Sequence, residues 1–276
     1  MKRRIGICVP GGSFMPQDTN KITTPYDNCV AGYDICNKAG FDFAEVTFPL
    51  IMSMTDEECA KAREAGVRYE AANCFLPGQY PLASTDLETL KDYVRSAFER
   101  AAYFGIETVV FGSGGARRMP DGISGDEKLR LLDKYVAFIR SCGELAVPYG
   151  ITFALEPLNP KETNFMTNEL QGLDIVKKAD HPNVRLLADA YHIGCQGEPI
   201  SDLEPAADVL VHVHVSETDR MWAGAYDGDP EKGGYLREFA AKLDGIGYTG
   251  RVSSECVHRN YIEEAPKILK FMREVF

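Results

Sequence analysis

Four residues with metal-binding or acid–base side chains stand at the ends of short apolar segments in the second half of the sequence. They are Glu156, Asp189, His214 and Glu255. Three carboxylates brought to one place would repel one another, and their pKa values would rise. A divalent cation removes that repulsion. A set of mostly oxygen donors with one nitrogen suits Mn²⁺, Mg²⁺ or Co²⁺ better than a thiolate-rich zinc site does.

The alternation of side chains along these segments predicts that the four residues point to one place. Successive residues of a β-strand face opposite sides. Glu156 therefore lies opposite Phe153 and Leu155, and His214 lies opposite the valines around it. His212 shares the face of His214 at a deeper position, where a packed, hydrogen-bonded histidine is expected instead of a ligand. A single strand-end carboxylate is more often a helix cap or a solvated charge, but four at consecutive strand ends favour a metal site.

The segments that carry these residues belong to a longer alternation of strands and helices. Strands are predicted at 4–9, 41–48, 67–74, 106–111, 151–156, 184–188, 209–215 and 251–256. Helices are predicted at 26–39, 56–65, 86–104, 126–149, 169–179 and 235–243. A glycine follows several of these helices, as is typical of helix C-termini. Such alternation implies parallel strands joined by crossovers.

Length and strand count together predict the fold class. Eight strands in 276 residues favour a single (β/α)8 TIM barrel over residues 1–276, because roughly 250 residues is typical of that fold. Catalytic groups of such barrels lie at the C-terminal ends of the strands. Counting strands leaves an open, doubly wound sheet as the alternative. The glycine-rich segment Pro10-Gly11-Gly12-Ser13 lacks G-x-G-x-x-G and the P-loop lysine, so nucleotide binding has little support.

The net charge and the cysteine content limit which binding partners and which cellular compartment are expected. The net charge of −11 opposes nucleic-acid binding, which depends on Lys and Arg neutralising phosphates. No stretch reaches the roughly 20 apolar residues of a membrane span, and the first residues lack the apolar run of a signal peptide. The eight cysteines form no C-x-x-C pair, and a domain of this size needs no disulfides. We expect a reduced, soluble, cytoplasmic protein without nucleic-acid or membrane partners.

Four motifs of the second half carry a resemblance to a known family. They are Glu156-Pro157-Leu158-Asn159-Pro160-Lys161-Glu162, Asp189-Ala190-Tyr191-His192, His212-Val213-His214-Val215-Ser216-Glu217-Thr218-Asp219-Arg220, and Gly247-Tyr248-Thr249-Gly250 leading to Glu255. With these motifs the chain resembles the xylose-isomerase-like TIM-barrel superfamily of sugar isomerases and epimerases. Within it the chain is most similar to the ketose 3-epimerases of the tagatose and psicose type. The motifs are specific to the superfamily and much less so to one substrate.

The resemblance implies a reaction and a set of site residues. It implies one divalent metal ion, Mn²⁺ in the first place with Mg²⁺ or Co²⁺ as alternatives, held by Glu156, Asp189, His214 and Glu255. It implies Glu156 and Glu255 as acid–base catalysts, and it places Glu162, His192 and Arg220 around the substrate oxygens. The substrate would be a keto sugar or related polyol, isomerised or epimerised through an enediolate by proton transfer between the two glutamates. Related barrels are commonly dimers or tetramers, so either assembly is open.

Two segments leave the substrate open. After Arg220 the epimerase pattern has a short Pro-Gly-x-Gly turn, whereas this chain has the longer segment 221–230, which contains its only Trp. The loop 112–118, with Arg117 and Arg118, has two interpretations. In the first, its backbone N–H groups and arginines bind a phosphate or carboxylate. In the second, it is a solvated surface loop.

Three other functions are compatible with the same barrel. A lyase that dehydrates a keto-inositol or cleaves a keto-glycoside would begin with the same proton abstraction, and the segment 221–230 keeps this alternative open. A metal-dependent endonuclease would need several metals and a basic groove, whereas this chain has only five histidines and a charge of −11. A non-catalytic sugar-binding barrel is opposed by the presence of both Glu156 and Glu255.

Overall fold

A closed barrel of eight parallel strands forms the centre of the molecule. The computed structural model describes residues 3–9 and 24–276, and the glycine-rich segment at residues 10–13 lies outside the described residues. The strands are β1 Arg4–Cys8, β2 Phe43–Thr47, β3 Ala71–Asn73, β4 Thr108–Phe111, β5 Thr152–Leu155, β6 Val184–Asp189, β7 Leu210–Val215 and β8 Arg251–Ser254. They pair in sequence order, and β1 also pairs with β8. The predicted (β/α)8 TIM barrel is therefore confirmed, and the open sheet is wrong.

Helices connect the strands on the outside of the barrel. They are α1 Pro25–Ala39, α2 Phe48–Ser53, α3 Asp56–Glu64, α4 Leu87–Phe104, α5 Gly125–Ala146, α6 Glu169–Ala179, α7 Ala190–Gln196, α8 Tyr235–Gly245 and α9 Tyr261–Val275. The six helices predicted from the sequence all occur, with ends that differ by at most three residues. The short helices α2 and α7 and the last helix, α9, were not predicted. Each of the two short helices begins directly at a strand end with apolar residues that are equally typical of strands.

Side-chain caps and a left-handed glycine set the ends of several helices. Thr55 and Glu58 form a reciprocal capping box at the start of α3, and Ser124 accepts a backbone N–H at the start of α5. Gly40 follows α1 with a φ of 93°, a conformation that glycine adopts without a Cβ clash. These local signals fix where α3 and α5 begin and where α1 ends.

The main hydrophobic core lies between the barrel and the surrounding helices. Phe75, at the end of β3, packs against Phe98, Phe111 and Phe153 at ring-centroid distances of 5.2–6.3 Å. No disulfide joins the eight cysteines, all of which lie within the described residues, and most of them are buried. Within the described ranges, no helix combines the length and apolar character needed to cross a membrane.

One buried carboxylate in this shell has an unusual environment. Glu169 is the first residue of α6 and only 1 % exposed. Its Oε2 atom is buried and has no hydrogen-bond partner among the described residues. Burial raises the pKa of Glu169 well above its usual value, and the nearby Glu198 raises it further. The folded protein therefore keeps a proton on Glu169 at a pH where the unfolded chain has lost it.

We expect Glu169→Gln to stabilise the protein, and to do so more at pH 8 than at pH 5. The protonated form of Glu169 stabilises the folded state fully only below the unfolded pKa of about 4.3. As the pH rises toward the folded pKa, the wild type loses up to about 1.4 kcal/mol per pH unit. The amide has no such dependence. Denaturant unfolding at both pH values, with the exposed Glu64→Gln as control, measures the difference. An equal effect at the two pH values would contradict the expectation.

Candidate active site

The carboxyl ends of β5 to β8 bring three acidic residues and one histidine into one buried cluster. Each of Glu156, Asp189, His214 and Glu255 offers one ligand atom, and these atoms all lie within 4.8 Å of one another. Asp189 ends β6 and His214 lies in β7, whereas Glu156 and Glu255 directly follow β5 and β8. All four side chains are at most 4 % exposed. The structure thus places the four predicted ligands where one cation could contact them all.

The cluster is held together by contacts between opposite charges. His214 Nδ1 lies 3.3 Å from Glu156 Oε1 and 3.4 Å from Glu255 Oε2. The Arg220 guanidinium donates to Asp189 Oδ2 at 3.0 Å and to Glu255 Oε2 at 2.9 Å. Each of the three carboxylates therefore contacts a cationic or imidazole group inside the barrel mouth.

The two glutamates of the cluster have opposite pKa shifts. Burial raises the pKa of Glu156 to about 7. Burial acts in the same direction on Glu255, but His214 and Arg220 outweigh it and hold the pKa of Glu255 at about 2. Near neutral pH one carboxylate is thus protonated to a large extent while the other is ionised. Carboxylate pairs whose environments separate their pKa values in this way are suited to acid–base chemistry.

A cavity of about 250 Å³ opens above the cluster. Its walls include Glu156 and Glu255, together with the three residues expected around the substrate, Glu162, His192 and Arg220. The remaining lining comes from the β3 and β4 loops and from apolar side chains, including Pro49, Cys74, Leu76, Ala116 and Leu158. The carboxylate pair and the predicted substrate-binding residues therefore face the same enclosed space.

Asn159 connects two of the predicted substrate-binding residues. Its backbone N–H donates to His192 Nδ1 at 3.1 Å, and its side-chain amide donates to Glu162 Oε1 at 2.9 Å. Burial lowers the pKa of His192 to about 4, so the ring is neutral with Nδ1 as acceptor. The other ring nitrogen, Nε2, lies 3.2 Å from Arg220 Nη2 and 3.5 Å from Asp189 Oδ2. Asn159 belongs to the first motif, but sequence analysis assigned it no role.

The segment that follows β7 fixes the position of Arg220. Arg220 has a φ of 66°, an uncommon backbone conformation for a residue with a side chain. Its guanidinium stacks 4.1 Å from the ring centre of Tyr191. The buried Glu217 accepts a hydrogen bond from the Gly224 backbone at 3.0 Å, and Ala223 is fully buried. The unusual segment 221–230 is therefore anchored next to the residue that pairs with the carboxylates.

In the loop after β4, Arg117 has a different role from either predicted one. Arg117 is fully buried. Its guanidinium donates to the carbonyl oxygens of Phe111 at 2.8 Å and of Glu156 at 2.6 Å. The expectation of an anion-binding or solvated arginine is therefore wrong for Arg117, which joins the ends of β4 and β5. Arg118 is partly exposed and lies 3.9 Å from Asp121.

Two polar residues near the cluster were not identified from the sequence. Glu45 Oε1 lies 2.8 Å from His214 Nε2, and Asn73 Nδ2 donates to Glu255 Oε1 at 2.8 Å. Glu45 is flanked by Ala44 and Val46 in a fully buried strand, the same signal that identified Glu156. His212 is a buried lumen residue, as expected, and its Nε2 lies 2.9 Å from the other oxygen of Glu45.

We expect Gly112→Ala to displace the Glu156 carboxylate. A Cβ atom at Gly112 would lie 2.0 Å from Glu156 Oε2, whereas a Cβ at Gly115 in the same loop would have nothing within 4 Å. Overpacking of this kind costs about 1–3 kcal/mol. Thermal unfolding and crystal structures of both variants measure the effect, with Gly115→Ala as the matched control. An unmoved Glu156 in a stable Gly112→Ala protein would show that the loop has room to yield.

Two curated enzymes align with part of this chain. The D-psicose 3-epimerase of Ruminiclostridium cellulolyticum is 29% identical over 126 residues, which cover 45% of this chain and 40% of that enzyme. The inosose isomerase of Halalkalibacterium halodurans is 30% identical over 151 residues, which cover 49% of this chain and 51% of that enzyme. The chain thus spans about half, or less, of the length of these relatives.

Comparison of folds extends over the whole chain. The crystal structure of D-allulose 3-epimerase from Methylomonas sp. in complex with D-allulose matches with a TM-score of 0.79 at 20% identity. The match covers 100% of this chain and 98% of that one, and at this identity it shows a common fold alone. The family model described as xylose isomerase-like TIM barrel matches residues 33–275. Because that match covers most of the sequence, this chain belongs to the xylose isomerase-like TIM barrel family.

Proposed function

We propose that this chain is a divalent-metal-dependent isomerase or epimerase of a keto sugar or a related polyol. The observation that carries the proposal is the pair Glu156 and Glu255, which border one cavity and have pKa values shifted in opposite directions. Proton transfer to and from a carbon beside a carbonyl requires one base and one acid within reach of the same atom. The names of the relatives, a D-psicose 3-epimerase and an inosose isomerase, support a ketose or a keto-inositol as substrate.

The cluster fits a divalent cation in donor type and in charge. Glu156, Asp189, His214 and Glu255 would hold it, through three carboxylates and one imidazole. Such donors suit Mn²⁺, Mg²⁺ or Co²⁺. When all three carboxylates are ionised and His214 is neutral, Arg220 alone opposes three negative charges, and a divalent cation would supply the other two positive charges. When bound, the cation would polarise the substrate carbonyl and make the adjacent C–H more acidic.

The residues of the chain then divide the proton transfers between them. Glu255, whose pKa is held low by His214 and Arg220, removes the proton from the carbon beside the carbonyl, which leaves an enediolate. Glu156, in its protonated form, returns a proton to the opposite face, so one C–H bond breaks and one forms. The roles exchange in the reverse direction. Arg220, as a permanent cation, stabilises negative charge on the enediolate oxygen, while Glu162 and His192 orient the hydroxyl groups.

We expect the purified protein with Mn²⁺ to introduce deuterium from D₂O at the carbon beside the carbonyl of its substrate. The panel comprises ketoses, ketose phosphates and keto-inositols, followed by NMR and mass spectrometry. Chelation should abolish the exchange, and added Mn²⁺ should restore it. Glu156→Gln and Glu255→Gln should each reduce turnover by about 10²–10⁴-fold, the usual contribution of an acid–base residue.

The outcomes of this screen separate the proposed function from its alternatives. Glu264→Gln is the control. It removes a carboxylate that pairs with His258, and the variant should retain turnover. Release of water or of an aglycone would identify a lyase instead of an isomerase. Substrates that stay free of deuterium across the whole panel in the presence of Mn²⁺ would refute the proposal.

We expect the affinity for Mn²⁺ to increase as the pH is raised from 6 to 8. A cation binds the ionised form of Glu156 more tightly than the protonated form, and the pKa of about 7 of Glu156 means that protons compete with the metal at lower pH. Binding below pH 7 should therefore release protons. Calorimetry in buffers of different ionisation enthalpy measures both quantities. An affinity independent of pH over this range would show that Glu156 is not a ligand.

A further inference from the structure

A carboxylate below the cluster connects the two histidines of β7. Glu45 Oε1 lies 2.8 Å from His214 Nε2, and Glu45 Oε2 lies 2.9 Å from His212 Nε2. None of the three side chains is exposed. Both oxygens of Glu45 thus accept hydrogen bonds from imidazole groups in the interior of the barrel.

These contacts cross the lumen. Glu45 belongs to β2 and the histidines to β7, and the two strands are separated by β1 and β8 around the barrel. The surroundings include apolar side chains: the Phe43 ring packs 6.1 Å from the His212 ring, and Leu187, the register partner of His212, belongs to a separate buried cluster with Val110 and Ala154. A carboxylate in such a place is stable only when its oxygens have hydrogen-bond donors. The two histidines supply them.

The hydrogen bond to Glu45 determines which atom His214 presents to the cluster. An imidazole that donates through Nε2 has its Nδ1 atom left to act as a ligand. In His214 this Nδ1 atom is the one that lies 3.3 Å from Glu156 and 3.4 Å from Glu255. Carboxylates that accept the second N–H of a histidine ligand fix its tautomer and its ring orientation.

We propose that Glu45 is a positioning residue that directs His214 Nδ1 toward a bound divalent cation, with His212 holding the second oxygen of Glu45 in place. The inference rests on the metal site proposed above. It assigns a purpose to a buried carboxylate and to a buried histidine that the proton transfers do not use. It also explains why two histidines alternate in β7 although only one of them reaches the cluster.

The test substitutes Glu45→Gln and measures Mn²⁺ binding by the otherwise intact protein. An amide has the shape of the carboxylate but accepts through one atom only, so it cannot accept from both histidines in the same way. Calorimetry should show Mn²⁺ affinity reduced by about 10- to 100-fold, as for other residues that orient metal ligands. Pulsed EPR of the Mn²⁺-loaded protein should show the ¹⁴N coupling of a bound imidazole in the wild type, and this coupling weakened in Glu45→Gln.

A matched control separates positioning from a general loss of structure. Glu264 is another buried carboxylate that pairs with a histidine, because its Oε2 lies 3.1 Å from His258 Nδ1. Glu264→Gln should change Mn²⁺ affinity by less than Glu45→Gln and leave the ¹⁴N coupling as in the wild type. Circular dichroism and thermal unfolding of the metal-free variants check the fold. If Glu45→Gln does not fold, Glu45→Asp, which retreats from His214 by one methylene, should show the same loss of affinity.

The possible results distinguish the inference from the function on which it rests. Wild-type affinity together with wild-type ¹⁴N coupling in a folded Glu45 variant would overturn the positioning role and leave the metal site intact. Equal losses in Glu45→Gln and Glu264→Gln would also overturn it, because the effect would then be structural. Absence of Mn²⁺ binding by the wild type would reject the metal site itself, and the role of Glu45 with it.

Discussion

Three carboxylates buried side by side at one end of an apolar barrel are the constraint on which the rest of the site depends. Like charges in a medium of low dielectric constant repel far more strongly than they do in water. Two groups reduce this repulsion. The guanidinium of Arg220 donates hydrogen bonds to two of the carboxylates, and the imidazole of His214 contacts the two glutamates. The Tyr191 ring stacks on the guanidinium of Arg220, and Arg117 donates to the backbone carbonyl of Glu156.

Polar contacts inside the barrel extend from Glu45 to the cavity. Glu45 contacts His212 and His214, His214 contacts Glu156 and Glu255, and these two glutamates border the cavity. Each of these side chains limits the freedom of the next, because all of them are buried. The loops contribute by leaving space, as at Gly112, where any larger side chain would enter the volume of Glu156.

The alternation of helices and strands was predictable because it depends on local periodicity. The number of strands favoured a closed barrel but left an open sheet as the alternative, because strand pairing at the two edges is not a local property. The meeting of Glu156 and Glu255 was predictable, since residues at strand ends share one face of such a barrel. The contacts of Glu45 and Asn73 were not, because they cross the lumen between strands far apart in sequence. Arg117 was misjudged for a related reason: its two acceptors are backbone carbonyls, which no residue type reveals.

The pairing of Arg220 with Asp189 and Glu255 has a consequence for how the protein matures. In small zinc domains the ion is needed for the chain to fold at all. Here an internal counterion already neutralises part of the site, and a large hydrophobic core surrounds it. For the proposed metal site, folding and metal binding would therefore be two separate events. The folded barrel would gain or lose the cation without loss of its architecture.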